Sequence, residues 1–212
     1  MKPKVKSYTI IAGADNNIVE SVTLSAGGSQ AFVMDGAIVA SGVVPVQELG
    51  YIILLTSAGD DSGITITVVG TDVDGAAQTE VITGPNATTG VGAKFFRSIS
   101  TITASGDTAG AIEIGTPNTT LCALTPTYAL DTYSSNTSID VNISGTINYD
   151  VLKCFQRPTA GDALNFVAGG LTGKTADDNT AYTGPTGGVR VKINSYTNTA
   201  TLSVTYVQQR IT

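Results

Sequence analysis

Three glutamates are the side chains of this sequence with the clearest potential for chemistry. Glu48, Glu80 and Glu113 lie in or near predicted strands, and two carboxyl groups on either side of a sugar could cleave a glycosidic bond. Sugar-cleaving sites also present aromatic platforms, whereas this chain has eight tyrosines, five phenylalanines and no tryptophan, mostly at strand positions. Core or solvent-facing roles are therefore the better interpretation, and no catalytic residue is predicted.

The chain of 212 residues contains no histidine. This excludes Ser-His and Cys-His nucleophilic pairs and removes the commonest zinc ligand. Cys122 and Cys154 are the two cysteines, too few for a zinc site without histidine. Free buried thiols are favoured over a disulfide, although spacing alone does not decide between them. No cofactor and no metal are predicted.

Two acidic turns resemble cation-binding loops. The sequence Asp72-Val73-Asp74-Gly75 opens like a calcium loop, but its twelfth position is Thr83 instead of glutamate. A hairpin turn is the favoured interpretation. Asp60-Asp61 forms a similar turn, and a calcium ion held between the two turns is the alternative.

One glycine-rich stretch ends like a phosphate-binding loop. It reads Gly-Lys-Thr at 173–175, but Ala168 replaces the first glycine of that motif and no helix pattern follows. The surrounding segment 168–188 is rich in glycine and threonine and shows no buried pattern. We expect a long, flexible loop here.

The charge of the chain excludes one class of partner and suggests another. The net charge is −6, which argues against nucleic acid, because binding there depends on neutralising phosphates. Three alternate lysines, Lys2, Lys4 and Lys6, lie in an N-terminal arm, Met1–Ser7, that precedes the first predicted strand and would face one side. We expect them to contact an acidic surface of a neighbouring subunit. A solvated terminus is the alternative.

No membrane or export segment is predicted. The longest apolar run, Tyr51–Leu55, is far shorter than the roughly 20 residues of a spanning helix. No apolar region of the kind found in signal peptides follows the N-terminal lysines. We expect no membrane partner.

Short alternating runs cut by glycine, asparagine or aspartate extend from end to end. In the most regular stretch Ile64, Ile66 and Val68 would face one way and the intervening residues the other. The pattern predicts an all-β protein, an antiparallel β-sandwich or jelly-roll-like fold with two β subdomains. The predicted strands are Ser7–Ala12, Ile18–Leu24, Gln30–Met34, Leu49–Thr56, Gly63–Val69, Gln78–Thr83, Lys94–Thr103, Ala111–Ile114, Ser138–Ser144, Thr146–Phe155, Gly188–Asn194 and Ala200–Gln208.

Turn signals and a composition shift predict the organisation of the chain. Hairpins are expected at Ser144-Gly145-Thr146 and at Tyr196–Thr199. The proline-containing stretch 116–127 is predicted to link an N-terminal β domain, 1–115, to a C-terminal one, 128–212. A single sandwich built from both parts is the alternative.

The stretch Ser57–Gly115 resembles a family of tailed-bacteriophage virion structural proteins. It reads SAGDDSGITITVVGTDVDGAAQTEVITGPNATTGVGAKFFRSISTITASGDTAGAIEIG, and a second similar segment is VNISGTINYD, Val141–Asp150. The resemblance covers about half of the chain and implies a virion component without catalytic residues.

We therefore expect a non-enzymatic virion protein, foremost a capsid decoration or cement protein that binds the major capsid protein or other virion subunits. It would be assembled in the host cytoplasm, lie on the outer surface of the particle and form a homo-oligomer, with a trimer as the first expectation. The alternatives are a tail or fibre-attachment protein, a host-glycan-binding module and, least favoured, a carboxylate-based glycan hydrolase.

Overall fold

A computed structural model describes residues 3–119, 122–130, 134–158 and 164–210 of the chain. The protein is all-β, as the alternation predicts, and its sheets are antiparallel. None of the described segments contains a helix long and apolar enough to cross a membrane. The chain forms two compact units: a central unit, Gly13–Pro117, and a terminal unit made of Met1–Ala12 and Asn118–Thr212.

Two four-stranded sheets build the central unit. One has the order β2-β10-β5-β8 and the other the order β3-β9-β6-β7. The strands of this unit are β2 (Ala14–Val22), β3 (Gln30–Ala31), β4 (Gly50–Tyr51), β5 (Leu54–Ser57), β6 (Thr65–Thr71), β7 (Ala77–Thr83), β8 (Thr89–Val91), β9 (Ser98–Ala104) and β10 (Ile112–Thr116).

The core of the central unit contains residues of both sheets, which makes this unit a sandwich. Ile112 and Ile114 of β10 belong to the same buried cluster as Ile66 and Val68 of β6. Ile66 and Val68 are fully buried while Thr65 and Thr67 lie on the opposite face, as the predicted alternation requires. β-branched side chains thus fill the interior, and hydroxyl-bearing ones cover the outside of the same strand.

The terminal unit is organised around two long paired strands, β13 and β16. They are antiparallel along almost their whole length, and shorter strands line both of their edges. The strands of this unit are β1 (Lys4–Ile10), β11 (Ala123–Leu124), β12 (Tyr128–Ala129), β13 (Ser134–Cys154), β14 (Val167–Ala168), β15 (Asp178–Thr183) and β16 (Gly188–Arg210).

The β13–β16 ribbon folds back on itself. Tyr128 pairs with Val189 of β16, yet its ring stacks on Tyr206, with the ring centroids 4.1 Å apart. Val189 and Tyr206 are seventeen positions apart on one strand, which in an extended strand is roughly 55 Å. The two halves of the ribbon must therefore face each other, and the terminal unit is also a two-layered structure.

The fold-back explains why the two predicted hairpins are wrong. Gly145 has φ +93°, and the register shifts there, so that Ser144 pairs with Thr201 while Thr146 pairs with Thr197. The irregularity in β13 lies opposite an irregularity in β16. The two strands therefore stay paired and bend together at this point. The turn-like sequences at 144–146 and 196–199 mark this common bend.

The predicted subdomain boundary is only partly reflected in the two units. The division at Pro117–Asn118 falls inside the predicted linker 116–127, but that stretch also contains β11, which pairs with β16. The first twelve residues group with the terminal unit, because β1 pairs with β16 over Lys4–Ile10. A boundary read from composition cannot reveal this pairing, since the partner strand lies some two hundred residues away.

The segment 168–188 also differs from the expected loop. It contains β15, which pairs with β13, and Tyr182 and Leu171 are buried. The sequence of β15, DNTAYT, contains only one large ring or apolar side chain, the buried Tyr182, which was too weak a signal for a strand.

Candidate functional site

Glu80 is a buried structural anchor. It lies on the inner face of β7 with 8% of its surface exposed. Its Oε1 accepts hydrogen bonds from the amides of Ala93, at 2.6 Å, and Lys94, at 3.2 Å. A carboxylate that satisfies two backbone donors holds the segment before β9 against the edge of β7.

The other two glutamates lie on different elements. Glu113 is on β10, in the other sheet of the central unit, opposite Thr56. Glu48 is exposed and precedes β4. The structure therefore does not place Glu80 and Glu113 on one sheet.

The Asp72–Gly75 turn is the β6–β7 hairpin that was predicted. Asp72 Oδ1 accepts hydrogen bonds from the amides of Asp74, at 2.9 Å, and Ala76, at 2.8 Å. A carboxylate that closes its own turn explains the acidic sequence without a cation.

The Asp60-Asp61 turn divides its two carboxylates between surface and interior. Asp61, 2% exposed, accepts hydrogen bonds from the Ser57 hydroxyl and from the Ala109 amide, the latter at 2.7 Å. Asp60 is exposed and accepts hydrogen bonds from the hydroxyl and amide of Ser62, which hold its pKa below the usual value. Within the part of the chain that the structure describes, no three acidic or cysteine side chains group as metal ligands.

The glycine-rich stretch 169–175 is tied to β13 of the terminal unit. The Asp150 carboxylate accepts a hydrogen bond from the Gly173 amide, at 2.7 Å, and forms an ion pair with Lys192, at 2.8 Å. Lys174, the lysine of the phosphate-loop-like motif, pairs with Asp178 at 2.7 Å. The motif lysine is thus an ion-pair partner within its own segment, and Asp150 anchors the loop.

The Asp150 ion pair predicts a loss of stability in acid. Burial would raise the Asp150 pKa, but hydrogen bonds from Lys192 and Gly173 outweigh it and hold the pKa below its usual value. A lowered folded-state pKa stabilises the protein above the unfolded pKa, near 4, and this contribution is lost as the pH falls through the folded pKa. Asp150→Asn should therefore cost about 1–3 kcal/mol at pH 7 and flatten the acid side of the stability profile.

The measurement is urea unfolding of the two proteins between pH 2 and 7. Asp15→Asn, at an exposed position of β2, is the matched control and should keep the wild-type profile. If the free energy of unfolding falls equally in acid for wild type and Asp150→Asn, the Asp150 carboxylate is not the stabilising group.

Lys4 and Lys6 lie in strand β1, not in an arm before the first strand. Their register partners are Tyr206 and Val204, so both lysines lie on the inner face of the sheet, as alternate residues should. Lys4 Nζ is 5.8 Å from the ring centroid of Tyr128. Both positions are exposed because β1 is an edge strand. Lys2 lies outside the described residues.

Inward-facing lysines on an edge strand discourage pairing with further strands. This role does not depend on a partner, and sequence reasoning missed it because the strand was expected to begin at Ser7. The predicted contact between these lysines and a neighbouring subunit stays a prediction.

Cys122 and Cys154 are buried and not joined in a disulfide, as favoured from the sequence. Each thiol donates to a backbone carbonyl: Cys122 to Asn194, at 3.3 Å, and Cys154 to Gln156, at 3.2 Å. Both cysteines therefore belong to the interior packing of the terminal unit.

Buried tyrosines were missed by the sequence analysis. The Tyr149 hydroxyl donates to the carbonyl of Ala176, at 3.0 Å, and burial, with Asp178 and Asp177 nearby, raises its pKa to about 12. The Tyr182 hydroxyl donates to the carbonyl of Gly169. Tyr206 is 2% exposed, and its hydroxyl has no hydrogen-bond partner in the described structure. All three rings therefore belong to the interior of the terminal unit.

The exposed sheet faces carry hydroxyl groups and few charges. On β16, Thr201, Ser203 and Thr205 pair with Thr9, Ser7 and Val5 of β1, and all lie on the outer face. On β6, Thr65, Thr67 and Thr71 likewise face outward. Charged residues make up only 13% of the chain, and hydroxyl-bearing side chains cover these sheet faces instead.

Comparison with known proteins gives no sequence match and weak structural similarities. No protein-family profile and no curated protein sequence matches the chain. Among solved structures, it is similar to the CBM22-1–CBM22-2 tandem domain of Paenibacillus barcinonensis Xyn10C at 11% identity and a TM-score of 0.28, covering 95% of this chain and 99% of that one.

Two viral structures are similar at the same low level. The major capsid protein P2 of bacteriophage PM2 has 11% identity and a TM-score of 0.22, with 96% of this chain and 97% of that one covered. A chain of infectious bursal disease virus, Gx strain, has 11% identity and a TM-score of 0.21, with 96% and 70% covered. Similarity of this size gives no ground for assigning a function.

Proposed function

We propose that this protein is a non-enzymatic structural component of a phage particle, and foremost a capsid decoration or cement protein. It acts through binding energy: contacts with the major capsid protein or other virion subunits, repeated over many copies, stabilise the shell. It is a homo-oligomer and lies on the outer surface of the particle.

The proposal that the protein is not an enzyme rests on the hydrogen bonds of its buried carboxylates. Glu80 and Asp61, the most buried of the candidate acidic residues, each accept hydrogen bonds from groups of the fold itself. A catalytic carboxylate must instead face the reacting bond with an oxygen free to exchange a proton. These side chains fix loops of a rigid scaffold.

The virion part rests on the resemblance of Ser57–Gly115 and on the surface. Broad, weakly charged sheet faces are suited to static contacts with neighbouring subunits. A tail or fibre-attachment role is the second candidate, because it would use the same kind of surface.

The number of copies per particle separates the two candidates. Purified particles should contain this protein at a ratio to the major capsid protein that is fixed and close to the number of shell positions. Quantitative mass spectrometry gives the ratio, and electron cryomicroscopy of labelled particles gives the position. A few copies confined to the tail would contradict the decoration role, and absence from the particle would contradict both.

The edge-strand lysines provide a prediction about attachment. If Lys4 and Lys6 contact an acidic subunit surface, Lys4→Gln/Lys6→Gln should weaken binding to particles that lack the protein, and its salt dependence should decrease. Deleting residues 1–6 is a poorer test, because it removes three of the seven residues of β1. Co-sedimentation at low and high salt measures binding, with Arg157→Gln, at an exposed position of the terminal unit, as the control. Unchanged binding at both salt concentrations would assign the two lysines to edge protection alone.

A further inference from the structure

The outer face of the β3-β9-β6-β7 sheet has an unusual composition. Its register places alternate residues of all four strands on this face. We call it the threonine face; it consists of Ala31, Thr65, Thr67, Val69, Thr71, Ala77, Thr79, Val81, Thr83, Ser98, Thr101 and Thr103. None of these residues is charged. Val81 is 62% exposed, and Val33, two positions beyond Ala31, is 74% exposed.

The neighbouring sheet edge is closed, so a partner would approach the face. Lys94 Nζ donates to the carbonyl of Thr79 on β7, at 2.7 Å, and Gln78 Nε2 donates to the carbonyl of Phe95, at 2.9 Å. Glu80 binds the same segment from the inner side. Residues 93–95 thus lie along β7 and oppose the addition of a further strand.

From this surface we infer that the threonine face is the contact between two copies of this chain. The inference rests on the homo-oligomer of the proposed function and names its contact. Each copy carries a net charge of −6, so two copies repel one another over most of their surface. A face without charged residues is where they meet without burying an unpaired charge. Exposed valines and threonine methyl groups supply the apolar area.

The symmetry and strength of the contact follow from the geometry. One face that binds itself has two-fold symmetry, so a dimer replaces the trimer expected from the sequence. Three strands of seven residues and the two-residue β3 cover roughly 350 Å² per copy, or about 700 Å² in total, from the standard strand spacings. This is below the size of most stable interfaces, so the dimer is weak in solution and gains strength where copies are held close together.

Sedimentation equilibrium of the full chain tests the contact. The wild type should show a reversible monomer–dimer equilibrium that strengthens with salt, because salt screens the repulsion. Val81→Lys and Thr101→Lys place like charges at the two-fold contact and should weaken dimerisation at least tenfold. Thr201→Lys, on the exposed face of β16, is the matched control. Mixing Val81→Lys with Val81→Glu should restore association.

Circular dichroism confirms that each variant is folded; both tested positions are exposed, so substitution should not disturb the core. A wild type that is monomeric throughout the concentration range, a dimer that Val81→Lys and Thr101→Lys leave intact, or a trimer would each overturn the inference. The analysis of particles tests the virion role independently of the dimer contact. A protein that dimerises through this face but is absent from particles would contradict the virion role and not the contact.

Discussion

Gly115→Ala is expected to destabilise the central unit by about 3 kcal/mol or more. Gly115 lies in β10, where Leu54 of β5 is its partner on one side. On the other side the β2–β10 pairing is irregular, and the backbone of Ala14 and Asp15 occupies the space that a Cβ atom would need. A methyl group there overlaps backbone atoms, which cannot rotate away as a side chain could. The two strands must therefore separate.

Hydrogen exchange and urea unfolding measure this effect. Peptides from β2 and β10 should lose protection first, and the unfolding midpoint should fall. Gly63→Ala is the matched control, because a Cβ atom at Gly63 meets nothing within 4 Å. A Gly115→Ala protein as stable as Gly63→Ala would mean that β2 does not approach β10 this closely.

The most regular part of the chain was predictable because its fold is local. Alternation placed Ile66 and Val68 inside, and Asp72 to Gly75 marked the hairpin that joins the two strands. Both signals extend over only a few residues, because the residue types of a short segment determine strand alternation and turn formation. The same local reasoning identified the all-β class.

The terminal unit was harder to predict, because its organisation depends on distant pairing. Ser144-Gly145-Thr146 has the composition of a tight turn, yet it forms a bend because the opposite strand is irregular at the same level. β1 finds its partner at the other end of the chain. A local sequence pattern does not distinguish a hairpin turn from a bend that two paired strands share.

The anchoring roles of the acidic residues were also hidden. Glu80 and Asp61 look in sequence like any strand or turn carboxylate. Their functions depend on backbone amides of Ala93, Lys94 and Ala109, which come close only in the folded protein. The absence of histidine limited the possible chemistry, but it could not show which carboxylates are structural.

Replacing two buried tyrosines of the terminal unit by phenylalanine should change the free energy of unfolding in different ways. Tyr206→Phe should leave stability unchanged or raise it by up to about 1 kcal/mol, because the hydroxyl it removes is buried with no hydrogen-bond partner in the described structure. Tyr182→Phe should cost about 1–2 kcal/mol, because it leaves the buried carbonyl of Gly169 without its donor. Both changes preserve the ring and its packing, so they isolate the hydroxyl.

Tyr206→Ala measures the ring itself. Tyr206 stacks on Tyr128 with an interplanar angle of 8° and lies between the two halves of the folded ribbon. Its truncation should cost about 3–5 kcal/mol, the range for a large buried aromatic side chain. Urea unfolding followed by far-ultraviolet circular dichroism gives all three values. If Tyr206→Phe is as destabilising as Tyr182→Phe, the Tyr206 hydroxyl has a partner, and a bound water molecule is the first candidate. If Tyr206→Ala costs less than about 1 kcal/mol, the ribbon does not fold back over this ring, since a fully buried aromatic contributes more than that.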